Sequence, residues 1–199
     1  MRGSILFLLI ALLPPLPCSA VSPPELFEEE PALPALGPVG VDAVPGSVDV
    51  RPGSIPGKRD WGPEQLVGEP DTPGSGDIVT AWASASQDER DEWIEVEYAV
   101  PVTVRRVLIH ETYNPGAVTA VKAFTETGME VELWSGKDPV ARGEPRGIAE
   151  IHPNVKFTTH RLRIEIKSTE VPGWNEIDTV GAVDYEGKTH WPVRARAST

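Results

Sequence analysis

The sequence predicts an all-β domain, an antiparallel sandwich or jelly roll of about eight strands, standing behind a disordered Pro-rich linker. Three observations lead there. From Trp61 onward short runs alternate apolar and polar residues, turn residues separate those runs, and no stretch longer than about ten residues keeps a helical period. Strands that follow one another without intervening helices pair antiparallel and close into two layers.

The chain opens differently. Ile5 to Leu13 is an apolar run behind Arg2, and Cys18, Ser19 and Ala20 form a small-residue cleavage pattern, so residues 1–20 read as a secretory signal peptide. The run is too short to span a bilayer, and no second apolar stretch follows it. Leu16 and Pro17 stand where a lipid-anchor motif has small residues. Cleavage after Ala20 removes Cys18, the only cysteine, leaving a disulfide-free exported protein stabilised by its core. The expected location is extracytoplasmic, periplasmic or secreted, with no membrane insertion after signal cleavage.

Residues 21–60 are the linker. The segment carries Pro23, Pro24, Pro31, Pro34, Pro38, Pro45, Pro52 and Pro56 with Gly37, Gly40, Gly46, Gly53 and Gly57 and sustains no apolar period, so it cannot bury enough surface to offset its ordering entropy. The acidic cluster Glu28 to Glu30 behind Phe27 reads as a solvated charge run.

The strands follow in order. Ile94, Val96 and Tyr98 alternate with Glu95 and Glu97, and Leu162, Ile164 and Ile166 alternate with Arg161, Arg163, Glu165 and Lys167, giving two strands with one wet face each. Val107 with Ile109, Val118 to Phe124, Val131 with Leu133, and Val180 to Val183 supply others. Turn residues at Asn114 to Gly116, Thr127 to Gly128, Ser135 to Pro139 and Pro172 to Gly173 separate them, and Pro63 to Val67 makes one helical turn. Trp82, Trp93 and Trp134 lie in or beside strand patterns and are expected in the core. About 125 residues bury about two thirds of their chain surface, which is adequate without disulfides.

Composition excludes some partners. The formal charge of −12 becomes −13 once Arg2 leaves with the signal, and this repels nucleic acid phosphates and anionic lipid alike. Catalytic machinery is missing at the level of motifs. His110 and Glu111 begin a zincin-like string, but Asn114 holds the fifth position and Pro115 follows on a strand end, where that metal site needs two histidines one helical turn apart. His152, His160 and His190 are isolated, and PGSG at Pro73 to Gly76 is a turn rather than a phosphate loop. No enzymatic activity is expected.

The succession WGPEQLVGEPDT (Trp61 to Thr72), AWAS (Ala81 to Ser84), DEWIEVEY (Asp91 to Tyr98), ETYNPGAV (Glu111 to Val118), VELWSGKDP (Val131 to Pro139) and VPGWNEIDTVGAV (Val171 to Val183) resembles a discoidin-like domain of the galactose-binding superfamily. These domains are also known as the coagulation-factor C-type. The resemblance is to a subgroup found in exported bacterial proteins and in an F-box protein with leucine-rich repeats. It covers residues 61–187 and implies an eight-stranded jelly roll, usually non-catalytic, whose loops at one end bind glycans, lipids or proteins.

The family often holds a structural calcium ion, and the resemblance places its ligands at Asp71 in GEPDT and Glu176 in NEID, with Thr72 or Asp77 to complete the site. Oxygen ligands from a carbonyl-rich turn suit calcium, although PGSGD intervenes before Ala81 and alters the usual spacing. The alternative is that Asp71 tightens a turn and Glu176 accepts a backbone hydrogen bond. No other cofactor is expected.

Two loop strings, ETYNPGAV and VPGWNEIDTV, carry the candidate ligand-binding residues. Tyr113 and Trp174 can offer a flat apolar face to a sugar ring or a partner side chain, and Asn114 and Asn175 offer donor and acceptor groups together. The competing reading is that Asn114 starts a turn and Trp174 plugs the sandwich end. The functional expectation is a non-catalytic binding module whose ligand is a carbohydrate or another cell-envelope component; the alternative is a structural or protein-interaction module, so the expected partner is a glycan or an envelope protein. The tail of residues 188–199 is either an added edge strand through Trp191 and Val193 or a mobile basic end.

Overall fold

In the structure, a computed structural model, ten β-strands and two single 3-10 turns account for the regular elements among residues 57–198, the residues it describes. The chain divides into two units, Met1–Asp49 and Val50–Thr199, and the described residues belong to the second. The signal peptide expected at residues 1–20, and the expected linker as far as residue 56, lie outside the described residues.

The strands are β1 (Trp82–Ala83), β2 (Glu92–Val104), β3 (Arg106–Tyr113), β4 (Val118–Phe124), β5 (Glu130–Ser135), β6 (Gly147–Ile151), β7 (Phe157–Ile166), β8 (Glu176–Val183), β9 (Thr189–His190) and β10 (Pro192–Ala197). One sheet runs β1-β8-β3-β6 with β9 added to β8, the other β10-β2-β7-β4-β5, and every pairing is antiparallel. The first eight strands therefore cross between the sheets in the double Greek key of a jelly roll, as expected.

Alternation explains the layers. In β2 the residues Ile94, Val96 and Tyr98 face inward, and in β7 Leu162, Ile164 and Ile166 do the same, meeting Val107, Ile109, Ile177 and Val180 of the other sheet. Tyr98 crosses the core and donates its hydroxyl to the Val180 carbonyl at 3.0 Å, which fixes one sheet against the other. Trp82 is fully buried and Trp134 packs against the core from its margin. Trp93 differs from expectation. It shares the outward register of Glu95 and Glu97, where Arg163 lies 4.1 Å over its ring. Beside it, buried Glu95 receives Arg163 and Arg196 from the neighbouring strands.

β6 is absent from the expected strands because Gly147–Ile151 is short and follows a loop rich in charge, glycine and proline. The tail is part of the fold, so the sandwich extends beyond the Gly187 boundary. β10 pairs with β2 along Ile94 to Tyr98, and Trp191 packs so closely that a Cβ on Gly181 would meet its ring at 2.7 Å. The expected linker also ends early. Arg59 accepts hydrogen bonds from Gly62 at 3.0 Å and from the Gln65 side chain at 2.8 Å, joining the domain's first turn.

Candidate functional site

The two loop strings meet at one end of the sandwich and hold each other. Asn114 has φ 44°, a left-handed conformation that asparagine tolerates better than most residues, and its Nδ2 donates to the Trp174 carbonyl at 2.9 Å. In return Asn175 Nδ2 donates to the Asn114 carbonyl at 2.7 Å, while Ser168 Oγ donates to Asn175 Oδ1 at 2.6 Å. Gly173 is required here, because its φ is 97° and a Cβ would stand 2.6 Å from Asn114 Nδ2. Asn175 is only 3% exposed, so its amide is engaged inside the protein. Its neighbour Trp174 is 41% exposed. Of the four candidate ligand residues, Trp174 projects from the loop, Asn114 and Asn175 brace it, and Tyr113 lies half-buried at the end of β3.

Trp174 forms part of a cleft of about 440 Å³ that also takes in Trp61, Asp77, Ser84 and Glu176. Tyr113, Asn114 and Asn175 do not line it. Trp61, 37% exposed, is the residue that sequence reasoning left out, having treated it only as the start of the domain. Its φ of 56° is a conformation that bulky side chains avoid, at about 1–2 kcal/mol. Two backbone hydrogen bonds of 3.2 Å hold it there, from its own N–H to the Val79 carbonyl and from Ala83 N–H to its carbonyl. A single tryptophan ahead of Gly62 and Pro63, where a turn must begin, was the available signal.

The rest of the lining is acidic. Glu176, 1% exposed at the start of β8, accepts the Ile78 N–H at 3.2 Å. Burial pushes its carboxyl up to about 7, and the nearby charge of Asp77 adds to the rise. Asp60 also lines the cleft, and none of the ion pairs among the described residues engages Asp60, Asp77 or Glu176. The cleft's one cation, Arg59, is paired with Glu64 at 2.9 Å. The arrangement offers two aromatic faces and a negative lining.

The calcium ligands suggested by resemblance answer to different neighbours. The Asp71 carboxylate is exposed and pairs with Lys58 Nζ at 3.3 Å. Its loop is closed instead by Asp178, which sits at an irregularity of β8 against β3 and accepts the Asp71 N–H, the Thr72 N–H and the Thr72 hydroxyl at 3.4, 3.3 and 2.9 Å. No group of three or more His, Cys, Asp and Glu side chains among the described residues is placed to hold a metal ion. These contacts do not fit one ion held jointly by Asp71 and Glu176.

A second carboxylate pair lies behind the loops. Glu111 accepts the Gly116 N–H at 3.1 Å, and Asp138 accepts those of Val118 and Val140 at 2.8 and 2.9 Å. Burial and the Asp138 charge push Glu111 up to about 9, and burial raises Asp138 as well.

Fold and cleft together define a β-sandwich domain with an aromatic-lined hollow among its end loops. Over residues 50–180, more than half of its length, the chain matches the family model described as Pappalysin-1, SD scarf domain, C-terminal, and it belongs to that family of β-rich extracellular domains. No curated protein matches it.

Proposed function

We propose that this protein is a non-catalytic, extracytoplasmic binding module of discoidin-like type, and that the cleft between Trp61 and Trp174 takes a carbohydrate. One observation carries the reading: two large aromatic side chains, each more than a third exposed, line the same 440 Å³ hollow. Solvated tryptophans lose apolar hydration when they cover a sugar's CH face, and a concave site with a few polar groups supplies the orientation. Trp61 adds weight because a strained backbone at a ring that does not fill the core suggests a role outside folding. Asp77, Ser84 and Glu176 offer the polar groups that sugar hydroxyls need. The family's extracellular setting agrees with the signal peptide read at residues 1–20.

A glycan array combined with a pull-down from envelope extract tests this. Saturable glycan binding that Trp174→Ala removes supports the reading. A stoichiometric protein partner without glycan binding replaces it with the protein-interaction alternative, for which exposed Val79 beside Trp61 would extend the apolar contact.

A further inference from the structure

We infer that the sugar bound in the Trp61–Trp174 cleft carries a free, protonated amine, as a hexosamine without its N-acetyl group does. The inference rests on the carbohydrate reading above and adds the ligand's charge.

The lining decides the sign. Asp60, Asp77 and Glu176 contribute three carboxyl groups outside every ion pair among the described residues, whereas the charge of Arg59 is met by Glu64 at 2.9 Å. The exposed Asp60 and Asp77 carboxylates would repel an anionic sugar, and a neutral one would leave them uncompensated. Asp77 and Glu176 line the same cleft within side-chain reach of each other. An ammonium group beside them donates a charge-assisted hydrogen bond to the Asp77 carboxylate and another to a Glu176 oxygen. The aromatic walls add to the preference, since a cation is attracted to an indole face by the ring quadrupole. The acids therefore select the amine while the tryptophans cover the sugar ring.

The test is calorimetric titration near about pH 5.5, where the amines of such an oligomer, weakened as bases by the ring oxygens and by their mutual repulsion, are mostly protonated. Two probes of equal length are compared, an oligomer of N-acetylglucosamine and its fully deacetylated glucosamine counterpart. The deacetylated oligomer should bind at least about ten-fold tighter. That gap should narrow in Asp77→Asn, a change at an exposed position, and Trp174→Ala should weaken both ligands. Equal affinities, or a preference for the acetylated oligomer, would overturn the inference and leave the carbohydrate reading standing. Binding of neither would overturn the inference alone, the glycan array deciding the carbohydrate reading separately. Deacetylated binding that survives Trp174→Ala and vanishes with added salt would mean charge attraction to the acidic surface at large, and would also overturn the inference.

Discussion

Asn114 and Asn175 join two loops sixty residues apart: the Asn175 side chain donates to the Asn114 carbonyl at 2.7 Å, and the Asn114 side chain donates to the Trp174 carbonyl at 2.9 Å. Trp174 thus stays exposed because the residues on either side of the contact hold its backbone. Asn175→Ala should cost about 1–3 kcal/mol, since it leaves the Asn114 carbonyl without its donor and takes from the buried Ser168 hydroxyl its shorter bond, that hydroxyl keeping only the Gln87 carbonyl at 3.1 Å. Chemical denaturation measures this, and a loss below about 0.5 kcal/mol would show that the bonds are replaced by water.

Stability should fall as pH rises. Glu111, pushed up to about 9, and Glu176, pushed up to about 7, hold protons in the folded state that the unfolded chain has already released above the ordinary carboxylate range. Folded protein then binds more protons than unfolded, so the stability they contribute is greatest on the acid side and declines as pH climbs towards those values. Glu111→Gln keeps an acceptor for Gly116 and should flatten the decline; denaturation midpoints followed between about pH 5 and pH 9 would show an unchanged slope if the pair were not responsible.

Truncation after Gly187 should lower the melting temperature by several degrees. It removes β9 and β10, uncovers the edge of β2 along Ile94 to Tyr98 and takes Arg196 from buried Glu95, for a loss of at least about 2 kcal/mol. A midpoint equal to that of the full chain would mean the tail is dispensable.

Calcium should not move the melting midpoint. The loop at Asp71 and Thr72 is closed by three hydrogen bonds to Asp178, and Asp71 is paired with Lys58. A rise with added calcium that chelator reverses would show that an ion competes with those contacts.

Much of the sandwich was legible in the sequence because alternation is a local signal. Ile94, Val96 and Tyr98 declare their inward face without knowledge of any partner, and the same pattern places Trp93 outside once its register with Glu95 is followed. β6 was not legible, since its pairing with β3 is long-range and its five residues carry little pattern of their own. The tail was undecided because an edge strand depends on the neighbour it covers. The candidate site was legible only in part. Paired prolines, glycines and asparagines announced the loops, but side-chain amides look alike in sequence whether they brace a loop or face a ligand, and only the fold turns Asn175 inward. Trp61 escaped because its contribution to the cleft depends on loops about fifteen and over a hundred residues away, which the chain's order does not reveal.

The most direct test follows the tryptophan indole N–H signals by NMR during titration with an oligosaccharide found on the array. The signals of Trp61 and Trp174, assigned through Trp61→Phe and Trp174→Phe, should shift together and saturate while that of buried Trp82 stays in place. Saturable binding that leaves both rim indoles unmoved would contradict the account.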